Sequence, residues 1–104
     1  MTRLSICIPT RNRQRYAIDA ARHMLKSERD DFEIVIADNS DDASEIAAFS
    51  DKANDDRLKI LPPADRPLSM RENWERIIPE TRGEWITFIG DDDYVDPDLC
   101  EVIR

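Results

Sequence analysis

Glycine, cysteine and histidine are scarce in this chain of 104 residues, and each scarcity excludes a class of site. The two glycines, Gly83 and Gly90, are separated by six residues. That spacing excludes the glycine-rich dinucleotide fingerprint and the phosphate-binding loop, since each needs a different glycine pattern. Two cysteines and one histidine have no spacing that fits a zinc site or a disulfide framework. Cys7 lies inside an apolar run, which predicts a buried strand residue.

Long apolar runs and an excess of positive charge are also absent. No stretch has the length of a membrane span or the pattern of a signal peptide, so we expect a cytoplasmic chain without a transmembrane segment. The formal net charge of -8 argues against binding to nucleic acid, because backbone phosphates require a basic face. The same charge leaves room for a small anionic ligand held through a metal and a few arginines.

The periodicity of the apolar residues predicts one α/β domain. Predicted strands cover residues 4–8, 32–37, 58–61 and 85–89, and predicted helices cover 14–27, 43–53 and 69 to about 79, with a last helix from Asp96 and Pro97. This alternation predicts a mostly parallel β-sheet with alternating helices, in the order βαβαβαβ. Near-continuous apolar runs indicate strands that are covered on both faces.

Polar segments follow three of the predicted strands, at residues 9–13, 38–40 and 90–93. Ligands of open α/β sheets bind outside the carboxyl ends of the strands, where these segments converge. Each has a simpler interpretation: a solvated helix entry, an Asx turn, or an acidic loop before the next helix. Together they favour a functional site.

The three consecutive aspartates, Asp91, Asp92 and Asp93, predict a metal site. Carboxylates packed this closely repel one another, and a divalent cation removes that repulsion. Hard oxygen ligands select magnesium, manganese or calcium over zinc. The cluster is therefore expected to hold a metal that grips a phosphate-bearing ligand.

Four segments together resemble the family-2 glycosyltransferases of the GT-A fold. They cover residues 4–13, 33–40, 71–73 and 88–97, in the order and spacing of that family. The resemblance implies the Rossmann-like half that binds a nucleotide-diphosphate sugar. It also implies transfer of the sugar to an acceptor, with inversion, assisted by Mn²⁺ or Mg²⁺.

The resemblance implies a role for each matching residue on the nucleotide side. Thr10 and Arg11 would lie against the base. Asp38 would accept a hydrogen bond from the base, typically uracil, and Ser40 would line the same pocket. Arg71 would contact the nucleotide.

The acidic residues have implied roles as well. Asp91 would reach the ribose, Asp92 would bind the metal that bridges the diphosphate, and Asp93 would support the site or the donor sugar. Asn73 would position its helix. Many family members carry an aspartate where this chain has Gly90, so the division of roles among the three aspartates stays open.

Family members are much longer, and their catalytic base lies downstream. We therefore assign no catalytic residue and expect residues 1–104 to be the nucleotide-sugar-binding part of a longer domain, truncated at its C-terminus and inactive alone. An unpaired sheet edge would favour a homo-oligomer, with Trp74 and Trp85 near the exposed surface. The alternatives are a non-catalytic interaction module and a receiver-like signalling domain. A receiver domain needs an acidic pair after the first strand, where this chain has Pro9, Thr10 and Arg11.

Overall fold

A computed structural model describes residues 2–101 of the chain. The strands are β1 (Leu4–Thr10), β2 (Phe32–Asp38), β3 (Leu58–Leu61) and β4 (Trp85–Phe88). The α-helices are α1 (Gln14–Met24), α2 (Ser44–Ala53) and α3 (Met70–Glu75), and short 3-10 helices lie at Ile78–Glu80 and Pro97–Glu101. The predicted alternation of strands and helices is confirmed.

The four strands form one sheet in the order β3-β2-β1-β4, and every neighbouring pair is parallel. The predicted α/β fold with a parallel sheet is therefore confirmed. Thr10 at the end of β1 pairs with Asp38 at the end of β2. On the other side, β4 ends at Phe88, opposite Cys7. The ends of β1 and β2 are thus level with each other, and β4 ends opposite a residue three positions before the end of β1.

Pro9 does not end the first strand, which corrects the prediction. The strand continues to Thr10, and Pro9 pairs with Ala37 of β2. The carbonyl of Cys7 accepts a hydrogen bond from the amide of Ile89, so Pro9, two residues later, faces the same side, beyond the end of β4. Its missing N–H therefore costs no hydrogen bond of the sheet.

Alternate residues of the central strands build two separate layers of core. The first layer contains Leu4, Ile6, Ile8, Phe32, Ile34 and Ile36, together with Ala17, Ala21 and Met24 of α1 and Ile46 of α2. The second layer contains Cys7, Val35, Ala37 and Ile77, with Leu61 and Phe88 packed against them. Burial raises the pKa of the Cys7 thiol to about 12, so Cys7 behaves as an apolar strand residue, as predicted.

The helix ends differ from their predicted positions. The first helix ends at Met24 instead of residue 27, because the amides of Lys26 and Ser27 bond to carbonyls three residues back and tighten the chain into a turn. The third helix ends at Glu75, ahead of a 3-10 helix that contains Pro79. None of the helices within residues 2–101 is long and apolar enough to cross a membrane.

Strand β4 forms one edge of the sheet, next to an exposed apolar surface. The indole of Trp74 stacks on Phe88 with ring centroids 4.7 Å apart, and 41% of Trp74 remains exposed. Trp85 on β4 is 49% exposed. Both tryptophans therefore lie where the sequence placed them, and association through this edge stays a prediction.

Candidate functional site

The three polar segments that follow β1, β2 and β4 meet at one edge of the sheet. The hydroxyl of Thr10, the last residue of β1, donates a hydrogen bond of 3.0 Å to Asp91 Oδ2. The amide of Asn39, just after β2, donates to the carbonyl of Thr10 at 2.8 Å. The structure therefore brings together the strand ends that the sequence placed at this edge.

The acidic triplet (Asp91, Asp92 and Asp93) has an internal counter-ion, which is Arg13. Its Nε lies 3.5 Å from Asp91 Oδ1, and its Nη2 lies 3.5 Å from Asp92 Oδ2. The guanidinium also lies over the ring of Tyr16, 4.6 Å from the centroid. The sequence assigned Arg13 no role, although its place just after the first strand end was a signal. Only the tertiary structure shows which carboxylates it meets.

Two carboxylates of the acidic triplet converge over Gly90. A Cβ placed on Gly90 would lie 3.2 Å from Asp93 Oδ2 and 3.3 Å from Asp92 Oδ1. No group of three His, Cys, Asp or Glu side chains within residues 2–101 could hold a metal by itself. Magnesium-like ions commonly bind one or two carboxylates and complete their shell with substrate phosphates and water. The arrangement therefore fits a cation that shares its ligands with a phosphate-bearing molecule.

Asp38 and Ser40 are buried and belong to the frame of the site. Asp38 Oδ1 accepts the amide of Ser40 at 3.0 Å, which is the Asx turn that the sequence also allowed. Ser40 Oγ accepts the amide of Asn12 at 2.7 Å, and Asn12 has a left-handed φ of 55°. Gln14 Nε2 lies 3.4 Å from Asp38 Oδ2. Contact of Asp38 with a base stays a prediction.

A polar cavity of about 220 Å³ opens beside this turn. Its lining includes Arg11, Asn39, Ser40, Asp41 and residues 63–67. The guanidinium of Arg11 donates to the carbonyl of Asn39 at 2.5 Å and pairs with Asp41 at 3.3 Å. The side chain of Asn39 donates to the carbonyl of Leu68 at 2.8 Å and accepts its amide at 2.9 Å. Asn39 therefore fixes the far wall of the cavity, a role that the sequence did not indicate.

Helix α3 is attached to the end of β2 by two side chains. Asn73 is buried and donates to the carbonyl of Ala37 at 3.1 Å, as its predicted helix-positioning role requires. Arg76 donates to Asn73 Oδ1 at 2.9 Å and to the carbonyl of Asp38 at 2.8 Å. Burial lowers the pKa of the Arg76 guanidinium. The helix thereby supports the backbone on which Asp38 sits.

Arg71 lies on the exposed side of α3. Its Nε donates to Glu75 at 2.8 Å, and the two side chains form an i,i+4 ion pair. Arg71 lines an open apolar groove with Met70, Trp74 and Ile78 of the same segment and Phe88 of β4. The structure therefore does not bring Arg71 into contact with the acidic triplet, and its role toward a nucleotide stays a prediction.

Comparison with known proteins identifies relatives of the whole chain. The family model described as glycosyl transferase family 2 matches residues 5–103. The GalNAc(5)-diNAcBac-PP-undecaprenol beta-1,3-glucosyltransferase of Campylobacter jejuni is 30% identical over 94 residues, which cover 89% of this chain and 30% of that protein. The chain spans between 16% and 33% of the length of the curated relatives that it matches.

Solved structures share the fold at low sequence identity. S. aureus TarS in complex with UDP-GlcNAc aligns with a TM-score of 0.75 and 20% identity, over 97% of this chain and 30% of that chain. The mannosyltransferase PcManGT of Pyrobaculum calidifontis, in complex with GDP-Man and Mn²⁺, aligns with a TM-score of 0.76 and 18% identity, over 94% of this chain and 30% of that chain. These likenesses agree with the family match, and the receiver-like alternative is set aside. The chain belongs to glycosyl transferase family 2.

Proposed function

We propose that this chain binds the nucleotide-diphosphate sugar of a glycosyltransferase, with the diphosphate at the acidic triplet and the base in the cavity lined by Arg11 and Ser40. The convergence of the ends of β1, β2 and β4 carries this proposal, because it places carboxylates and a polar cavity at the same edge of the sheet. Family membership and two structural neighbours that hold nucleotide sugars support it.

Asp92 and Asp93 are the residues that would hold Mn²⁺ or Mg²⁺. When bound, a divalent cation stabilises negative charge that develops on a departing diphosphate. Asp91 is fixed by the hydroxyl of Thr10 and is only 12% exposed, so it suits a directed hydrogen bond to a ribose better than a shared ion. Asp92 is 57% exposed, and its contact with Arg13 is a loose one of 3.5 Å. An acceptor hydroxyl would attack the anomeric carbon with inversion, and no residue of this chain is assigned as its base.

The base would be recognised at the turn that follows β2. Asp38 can accept a hydrogen bond from the imide N–H of uracil, and the guanidinium of Arg11 can lie against the ring. The neighbours hold different nucleotides, UDP-GlcNAc in TarS and GDP-Man in PcManGT, so the shared fold does not choose the base. Asp38 would distinguish uracil from cytosine, which lacks that N–H, and the two residues after Asp38, Asn39 and Ser40, line the cavity. Our choice of UDP over GDP rests on the family resemblance.

Titration calorimetry with uridine diphosphate tests the proposal. We expect weak binding without divalent metal and binding at least tenfold tighter with Mn²⁺, because the cation shares its ligands between the carboxylates and the diphosphate. Asp92→Asn should remove most of that gain. Asp51→Asn, which removes one exposed carboxylate from α2, is the matched control and should leave the gain intact.

Equal affinity of the unmodified chain with and without Mn²⁺ would refute the metal part of the proposal. Absence of any binding of uridine or guanosine diphosphate, with metal present, would refute the donor site itself. In that case the alternative of a non-catalytic interaction module with this fold would be the better description.

A further inference from the structure

We propose that Arg13 is the resident counter-ion of the acidic triplet and that it moves to the diphosphate when metal and nucleotide bind. This inference rests on the proposed donor site and assigns a positioning role to a residue of that site. It predicts that the metal and the guanidinium of Arg13 compete for the same carboxylates. It also predicts that, when the nucleotide binds, Arg13 contacts its diphosphate and no longer competes with the metal.

The contacts of Arg13 neutralise two carboxylates but are too long to hold them rigidly in place. It spans two different carboxylates, those of Asp91 and Asp92, at 3.5 Å each. The arginine pairs that tie loops elsewhere in the chain are shorter, at 2.8 Å for Arg29 with Asp31 and for Arg57 with Asp55. Charge-assisted hydrogen bonds normally have lengths of about 2.7–2.9 Å. The contacts of Arg13 are therefore looser, and its side chain is 49% exposed.

Neighbouring arginines are committed to other partners. Arg11 donates to the carbonyl of Asn39 and pairs with Asp41 on the cavity side. Arg15 pairs with Glu45 of α2. Arg13 lies between them in sequence and turns to the acidic triplet instead. A cation at this point relieves the repulsion between Asp91 and Asp92, which are adjacent carboxylates.

The position of Arg13 suits a short movement between two partners. Its guanidinium lies 4.6 Å from the centre of the Tyr16 ring, a cation–π contact that can hold it near the site after it leaves the carboxylates. A guanidinium presents parallel N–H donors that match the oxygens of a phosphate. If Asp92 turned to a metal, Arg13 would lose this partner, and the diphosphate of the proposed donor site would offer it another anion.

Two binding measurements on Arg13→Gln test the inference. The first is the affinity for Mn²⁺ alone, read from the electron paramagnetic resonance signal of free Mn²⁺. We expect Arg13→Gln to bind Mn²⁺ about threefold to tenfold more tightly than the unmodified chain, since the two loose ion pairs of Arg13 no longer compete. The second is the affinity for uridine diphosphate at saturating Mn²⁺, which should fall about tenfold because a charged donor to the phosphate is lost.

Arg15→Gln is the matched control. It removes one positive charge two residues away, in the first turn of α1, but leaves the acidic triplet untouched. It should change both affinities by less than about twofold, which measures the general effect of net charge. Arg13→Lys keeps the charge without the planar fork and should fall between Arg13→Gln and the unmodified chain in both measurements.

Shifts in opposite directions support the inference, because a purely structural role for Arg13 would weaken both affinities together. A parallel loss in both measurements, or an effect no larger than that of Arg15→Gln, would overturn it. Failure of the unmodified chain to bind uridine diphosphate with Mn²⁺ would instead overturn the proposed donor site. The two failures are therefore distinguishable.

Discussion

Two clusters of carboxylate and arginine lie at opposite ends of the sheet, and each contains one of the two glycines of the chain. At the amino end, Gly83 lies beside Glu33 and Ser5. At the carboxyl end, Gly90 lies beneath Asp92 and Asp93. The carboxylate of the first cluster is buried and saturated with hydrogen bonds, whereas Asp92 and Asp93 of the second cluster are exposed and Asp92 is loosely paired. The contrast separates a carboxylate that stabilises the fold from carboxylates that are available to a ligand.

The buried cluster is centred on Glu33, whose side chain is 2% exposed. Its Oε2 accepts hydrogen bonds of 2.6 Å from the hydroxyl of Ser5 and from the amide of Arg82. Its Oε1 accepts one of 3.3 Å from Arg82 Nε. The amide of Gly83 donates to the same Ser5 hydroxyl at 2.8 Å. A buried carboxylate with this many donors ties β1, β2 and the turn before β4 together.

The carboxylates of the exposed cluster have fewer and longer contacts with donor groups than Glu33 has. Asp91 accepts a hydrogen bond from the hydroxyl of Thr10 at 3.0 Å, and it shares the guanidinium of Arg13 with Asp92 at 3.5 Å. Asp93 and Asp92 instead turn one oxygen each toward the space over Gly90. Exposed carboxylates with loosely bound or open oxygens are suited to bind a cation.

The largest expected effect comes from filling the space at Gly83. A Cβ there would lie 2.6 Å from the amide nitrogen of Ser5 and 2.9 Å from the carbonyl carbon of Leu4, and backbone atoms cannot move aside cheaply. We expect Gly83→Ala to lower the free energy of unfolding by about 1–3 kcal/mol in urea denaturation, because it overpacks the contact with β1. The affinity of the folded fraction for uridine diphosphate should not change. Unchanged stability would mean that this cluster does not anchor the turn to the sheet.

Filling the space at Gly90 should have the opposite effects, a small change in stability and a large change in the response to Mn²⁺. The atoms that a Cβ would meet are the ends of two flexible, exposed carboxylates, so we expect Gly90→Ala to change stability by less than about 0.5 kcal/mol. It should reduce the gain in affinity for uridine diphosphate that Mn²⁺ provides, since Asp92 and Asp93 must turn away. Measuring urea stability and calorimetric affinity on the same sample separates the two effects. A variant that loses stability but keeps its metal response would contradict the distinction between the clusters.

The smallest effect concerns Glu72, which is well hydrogen-bonded but exposed. Arg66 and the backbone amide of Ser69 lower the pKa of Glu72 to about 2 from its ordinary 4.5. A folded-state pKa below the unfolded value adds stability that is complete above pH 4.5 and disappears as the pH falls through about 2. The stability difference between the unmodified chain and Glu72→Gln should follow that course and stay small, because solvent screens the pair. A difference that grows on acidification would reverse the sign and reject the assignment.

Local patterns in the sequence were enough to predict most of the fold. Short apolar runs predicted all four strands, and the helix predicted from residue 69 begins there with a capping box of Ser69 and Glu72. Helix ends were less predictable, because α1 ends at Met24 through a tightened turn and not through a glycine or proline. The first strand was predicted to end at residue 8, two residues too early, because the consequence of the missing N–H of Pro9 depends on where β4 ends.

The site divides in the same way between local and tertiary information. That Thr10, Asp38 and the acidic triplet share one edge follows from parallel topology and strand ends alone. The partners of the arginines do not follow from topology. Arg13 pairs with Asp91 and Asp92. Arg71 pairs with Glu75 on the outer face of α3. All are charged residues near predicted strand or helix ends, and nothing in their neighbours along the chain distinguishes them.

The sequence by itself determined the parallel α/β framework, the family and the edge at which polar groups gather, because these follow from periodicity and from short segments in order. Only the tertiary structure decided which carboxylates are saturated and which remain available. That outcome depends on contacts between residues far apart in the chain, such as Glu33 with Arg82 and Arg13 with Asp91. Packing decides how deeply each carboxylate is buried and how many donors surround it, and no local pattern of residues encodes that outcome.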